Sequence, residues 1–138
     1  MKISISRIII FSFVIFSLFV FWKGLKIDNN YNTKSLIGKR ISNFQLIKID
    51  NDNQYISEEN LQKNRHTLIN FFASWCAPCR TEHKYLLNLS NENKEIQIIG
   101  INFKDKKDNA VKFLEELGNP YNFVGKDPGG KISILFGI

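Results

Sequence analysis

The sequence predicts one α/β domain on a largely parallel sheet, carried behind a single membrane-spanning helix. Three observations predict it. Apolar runs suited to strands alternate with amphipathic stretches suited to helices. The strongest of these runs, Ile96–Phe103, is almost continuously apolar, as a parallel strand covered on both faces must be. Ahead of them, Ile8 to Trp22 is interrupted only by Ser12 and Ser17. A length of 138 residues leaves room for one domain.

The elements follow in order. Counted from Ile3, the weakly polar N-terminal stretch is long enough as a helix to cross roughly 30 Å, about one bilayer core. Its end, Phe19-Val-Phe-Trp-Lys23, offers no small-residue cleavage site, so residues 1–26 read as an uncleaved signal anchor. Lys2, Arg7 and the α-amino group put the N-terminus inside and the domain outside, although Lys23 and Lys26 weaken the asymmetry. Residues 27–37, polar and Asn-rich, read as a linker, and the domain runs over 38–138. Phe44–Ile49 alternates with period two; Asp50–Asn53 is a turn and Gln54–Ile56 a returning strand, which together make a hairpin. Ser57 is an N-cap for a short helix. Leu68–Ala73 is the first central strand, followed by a helix to about Ser90 and the strand Ile96–Phe103. Asp108–Leu117 is an amphipathic helix with Val111, Leu114 and Leu117 on one side and Gly118 as its C-cap. Phe123-Val124 is a short third strand, Asp127–Gly130 a turn, and Lys131–Phe136 a helix or a strand.

Charge narrows the function. The formal net charge of +6 is mostly an anchor effect, since Lys2, Arg7, Lys23 and Lys26 supply four of the cations. From Ile27 onward 15 basic residues face 13 acidic ones, which does not support a nucleic-acid surface. Lys104, Lys106 and Lys107 interleave with Asp105 and Asp108 and read as a solvated turn.

The chemistry rests on Cys76-Ala77-Pro78-Cys79, which holds both cysteines of the chain. The pair sits where a strand gives way to a helix. There the unpaired N–H groups and the positive end of the helix dipole stabilise a thiolate, the nucleophile of thiol–disulfide exchange. So short a loop constrains the unfolded chain little, which argues for a reactive rather than a structural bridge. Cys76, nearest the helix start, is the expected nucleophile and Cys79 the resolving thiol. Trp75 and Ala77 border the pair, and Pro78 fits the first helical turn without losing a hydrogen bond. Zinc is the competing reading, with Cys76, Cys79 and His83 on one helix face and His66 as a weak fourth ligand. No cofactor is expected beyond the Cys76–Cys79 disulfide.

A C-x-x-C after the first strand of a βαβ unit is the thioredoxin-like signature. The flanking residues narrow the resemblance. Cys79-Arg-Thr-Glu-His-Lys-Tyr-Leu86, Ile98-Ile-Gly-Ile-Asn-Phe-Lys-Asp105, Glu116-Leu-Gly-Asn-Pro-Tyr121 and the opening Gly38-Lys39 with Phe44 and Leu46 resemble the membrane-anchored thioredoxins of cytochrome c maturation, the DsbE/CcmG family. The resemblance implies a thioredoxin-like fold with an N-terminal β-hairpin. It also implies a protein-disulfide reductase acting on apocytochrome c or its haem-ligation partners. Such a protein is re-reduced by a membrane thiol-electron carrier and faces the periplasm from the bacterial inner membrane. Glu82 matches the family's groove acid, placed to influence proton transfer at Cys79. Asn70 stands six residues before Cys76, where many thioredoxins have a buried acid. A generic exported reductase with other clients is the alternative in the same class, and an inactive remnant the alternative outside it.

The family continues with a G-V-Y-G-x-P-E-T-F-L-I-D segment whose cis-proline faces the cysteines, and this sequence stops at Gly137-Ile138, where that segment begins. None of Pro78, Pro120 and Pro128 is placed to substitute. The expectation is a domain incomplete at its C-terminal side, with the strand Ile96–Phe103 short of a neighbour and its apolar edge exposed.

Overall fold

The computed structural model describes residues 5–26 and 36–138. The linker expected over 27–37 therefore lies, but for its last two residues, outside the described residues. Two compact units are present, within residues 1–33 and 34–138.

The first unit contains helix α1, Ile5–Leu25, whose 21 residues are long and apolar enough to cross a membrane. Between Arg7 near its start and Lys23 near its end, its apolar side chains are spread round the whole axis and leave no polar face. Lys26 Nζ lies 4.3 Å from the Trp22 ring centroid, a cation on an aromatic at the end of the apolar block.

In the second unit the described residues form one five-stranded mixed sheet. The hairpin strands are β1, Gln45–Lys48, and β2, Tyr55–Ser57, paired antiparallel with Leu46 opposite Ile56. Ser57 then caps α2, Glu58–Gln62, and the Asn60 side chain accepts the Ser57 N–H at 2.9 Å. Three parallel strands follow, joined by helices: β3, His66–Phe72; α3, Ala77–Glu92; β4, Ile96–Phe103; α4, Lys107–Leu117; β5, Phe123–Asp127. The last helix is α5, Lys131–Leu135. The sheet order is β2-β1-β5-β4-β3.

Two expectations about the sheet are corrected here. Ile96–Phe103 does not lack a neighbour: β4 is flanked by β3 and β5, both parallel to it. The strand after α4, read as two residues, is five long and returns beside β4, filling that edge. β3, read from the sequence as central, lies at one edge of the sheet, with β2 at the other.

Period-two alternation divides the core between the two faces. On one face Phe72, Ile98, Tyr121 and Val124 pack with Leu86 of α3 and with Ala110, Phe113 and Leu114 of α4. On the other, Leu46, Ile56, Ile99 and Ile101 pack with Leu61 of α2 and with Ile132 and Phe136 at α5. The α4 stripe therefore centres on Ala110, Phe113 and Leu114, and Val111 and Leu117 flank it half-buried. Gly118 ends α4 at φ +86, as a C-cap glycine can.

Candidate active site

Cys76 stands at the N-cap of α3, and the chain enters it through a turn closed by the Cys76 N–H on the Ala73 carbonyl at 3.1 Å. Cys76 and Cys79 form a disulfide with their Cα atoms 5.3 Å apart. Cys76 Sγ also accepts the backbone N–H of Cys79 at 3.3 Å. This is an N-cap contact in which sulfur takes the place usually held by oxygen, and it directs a first-turn donor at the atom that must carry charge when the bridge opens. Ala77 and Pro78 are the first two helical residues, both exposed; a first-turn N–H has no helical partner to lose, so proline costs nothing there.

The approach to Cys76 is held from the β4–α4 loop. The Asp105 carboxylate accepts the Ser74 N–H at 2.6 Å, the Ser74 hydroxyl at 3.0 Å, the Asn102 amide at 3.2 Å and the Lys106 N–H at 2.8 Å. Burial works against charge on Asp105, but these hydrogen bonds outweigh it and hold the carboxyl below its ordinary range. The next residue along, Trp75, donates its indole N–H to the Lys104 carbonyl at 3.2 Å and leans on Phe103 with ring centroids 6.4 Å apart. Trp75 is 63% exposed, so it is a surface ring beside the pair and not a core aromatic. Lys104 itself sits at φ +45, a left-handed conformation uncommon outside glycine.

The buried side of the site is aromatic. The Tyr121 ring stacks on Phe72 at 5.1 Å, presents an edge to His83 at 6.0 Å and lies directly over Gly100. Half-buried Asn70 donates its amide to the Tyr121 hydroxyl at 2.8 Å. Burial pushes the Tyr121 phenol up to about 12; the Asn70 hydrogen bond opposes the shift and the Glu82 charge adds to it. Cys79 packs against this cluster.

Glu82 lies exposed on α3, three residues beyond Cys79 and thus on the same side of the helix. His83 is buried, with its ring edge-on to Phe113 at 4.9 Å and Nε2 2.8 Å from the Gly118 carbonyl. A carbonyl only accepts, so Nε2 carries the hydrogen, and His83 ties α3 to the end of α4. His66 begins β3, at the end of the strand away from the cysteines. Asp105 is the residue that sequence reasoning missed: among alternating lysines and aspartates it read as a solvated turn, and only the fold turns its carboxylate toward Ser74.

The profile of the redoxin family matches residues 36–138. Over 76 residues the chain is 51% identical to the thiol:disulfide interchange protein CycY of Rhizobium leguminosarum, an alignment covering 55% of this chain and 40% of that one. It is 38% identical over 112 residues to the thiol:disulfide interchange protein DsbE of Escherichia coli, covering 80% of this chain and 60% of the relative. It is also 38% identical over 111 residues to the thiol:disulfide interchange protein HelX of Rhodobacter capsulatus, with 80% and 61% covered. The chain thus spans from 40% to about 61% of the length of these curated relatives. Among solved structures, a Chlorobium tepidum protein described as a thiol:disulfide interchange protein DsbE superposes with a TM-score of 0.63 at 24% identity, over 73% of this chain and 70% of that one. A secreted thiol-disulfide isomerase from Corynebacterium glutamicum superposes with a TM-score of 0.62 at 21% identity, over 74% and 70%. At those identities the structures establish the fold, which is thioredoxin-like.

Proposed function

The chain belongs to the redoxin family, and from that premise we propose that it is a membrane-anchored protein-disulfide reductase of cytochrome c maturation. The observation that carries this reading is the Cys76–Cys79 bridge at the start of α3, with the Cys79 N–H on Cys76 Sγ. Curated relatives named as thiol:disulfide interchange proteins support it.

In the reduced chain the Cys76 thiolate attacks one sulfur of a substrate disulfide. A Cys76–substrate bond forms and the other substrate sulfur leaves as a thiolate. Cys79, having given up its proton, then attacks Cys76 Sγ. The Cys76–Cys79 bond closes and the second substrate sulfur is released, so that two electrons have passed to the substrate. The bridge is reopened by a membrane thiol-electron carrier, itself oxidised to a disulfide in the exchange. Glu82, beside Cys79, is the acid–base group we assign to that proton. Ala77 and Pro78 keep the bridge side of the helix start open, and Trp75 walls one flank. The reaction draws on no cofactor beyond the two sulfurs.

The substrates on this reading are apocytochrome c or the thiol proteins that deliver it to haem. The apolar run Ile8–Trp22 of α1, with Lys2 and Arg7 before it, fits a single-pass anchor in a bacterial inner membrane with the domain on the periplasmic side. Expressing Cys79→Ser in cells and identifying the adducts tests this. Recovery of apocytochrome c or its maturation partners supports the assignment; recovery of unrelated envelope proteins alone refutes it.

A further inference from the structure

We propose that Asp105 is a positioning residue for the thiol pair: its carboxylate fixes the segment that delivers Cys76 to the start of α3 and keeps a negative charge beside it. The inference rests on reading Cys76 and Cys79 as a cycling pair.

Four observations carry it. The carboxylate takes four hydrogen bonds from three separate places: the Ser74 turn, Asn102 on β4 and the Lys106 N–H that opens α4. An anchor with this many donors admits one orientation. Its shortest bond, 2.6 Å, falls on the backbone of Ser74, two residues before the nucleophile. Asn102 also donates to the Phe72 carbonyl at 3.4 Å, so the same group reaches the end of β3. Finally, the loop that presents Asp105 also holds Trp75 through the Lys104 carbonyl, and Lys104 adopts its φ of +45 to do so. A left-handed lysine persists only where its surroundings over-determine it. Both residues that lead into Cys76 are therefore gripped by consecutive residues of one loop.

The charge has a consequence of its own. An anion near a thiol opposes its ionisation, while the N-terminus of α3 favours it. The other charged groups at this place are Lys104 and Lys106, exposed on either side of Asp105, and Glu82 farther along α3. Arg80 of α3 and Lys112 of α4 line a cleft of about 220 Å³ with Ser74. Both are engaged by Glu116, at 3.6 and 4.0 Å. Asp105 is thus the acid bonded directly to the approach segment, and its removal weakens the opposition to the helix start at Cys76.

The test is the pH dependence of Cys76 alkylation in the reduced full-length chain. In Asp105→Asn we expect the midpoint to fall by half a unit or more, so that alkylation below the midpoint runs roughly threefold faster or better. Asp105→Glu and Ser74→Ala, which keep the charge, leave the midpoint where it is in the unaltered chain. A midpoint in Asp105→Asn that is unchanged or raised overturns the proposal, as does an equal shift in Ser74→Ala. Should Asp105→Asn fail to fold, Asp105→Ser gives the same comparison under the same criterion. Alkylation is scored whether or not exchange occurs. Failure of the redox reading shows separately, as absence of exchange with a disulfide peptide in the unaltered chain.

Discussion

Asp105 accepts both the N–H and the hydroxyl of Ser74, at 2.6 and 3.0 Å, and so joins the turn before the cysteines to the loop between β4 and α4. Its carboxyl is held below the ordinary value of 3.8: burial opposes the charge, and the hydrogen bonds from Ser74, Asn102 and Lys106 prevail. The unfolded chain therefore binds this proton first as pH falls. The stability these bonds confer is fully present above the unfolded value and is lost as pH drops through the lower, folded one. We predict that the urea midpoint of Asp105→Asn, already lower at neutral pH, declines less between about pH 5 and pH 3 than that of the unaltered chain. Parallel decline in the two proteins would show that Asp105 carries none of the acid sensitivity.

Gly100 lies under the Tyr121 ring, where an added Cβ would meet ring carbons at 2.8 and 2.9 Å. The ring is pinned by Phe72 on one face and by Asn70 at its hydroxyl, so it cannot give way. Gly100→Ala is predicted to lower stability by roughly 1–3 kcal/mol. Gly129→Ala, whose added carbon meets only the Lys131 side chain at 3.8 Å, serves as the control and should change little. Chemical denaturation of both variants decides it.

Much of this site is legible in the residues themselves. The C-x-x-C at a strand–helix junction, the apolar β4 and the amphipathic α4 are local patterns, and the structure follows them. Three features were not legible, because each depends on contacts made outside the element concerned. Lys131–Leu135 is too short for periodicity to classify; it is helical because the buried Asp127 carboxylate reaches over to accept both the N–H and the hydroxyl of Ser133, at 2.9 and 2.8 Å. The edge position of β3 follows from where β5 inserts, and nothing within His66–Phe72 encodes that. His83 reads from the sequence as a candidate metal ligand, but its burial depends on Phe113, Tyr121 and Gly118 arriving from α4 and beyond.

That placement of His83 makes a prediction. Its donation to the Gly118 carbonyl is a buried side-chain contact between α3 and α4, so His83→Leu should cost roughly 1–3 kcal/mol through the unpaired carbonyl. Added zinc should leave the melting temperature of the reduced chain unchanged. A zinc-dependent rise that vanishes in His83→Leu would restore the metal reading.

For the first unit, the prediction concerns insertion. Val14 lies near the middle of α1, and an arginine there carries an insertion penalty of roughly 2.5–3.5 kcal/mol. Val14→Arg is expected to move protein from the membrane pellet into the soluble fraction after alkaline extraction. Full retention of the variant would count against α1 as the anchor.

The most direct test of the account is to mix each reduced single-cysteine variant of the full-length chain with a disulfide-bonded peptide and follow the adduct by mass. Cys79→Ser keeps the attacking sulfur and lacks the resolving one, so it should accumulate a stable mixed disulfide at Cys76, while Cys76→Ser should accumulate little. Adducts forming preferentially in Cys76→Ser, or in neither variant, would contradict the assignment of Cys76 as the nucleophile of a working thiol pair.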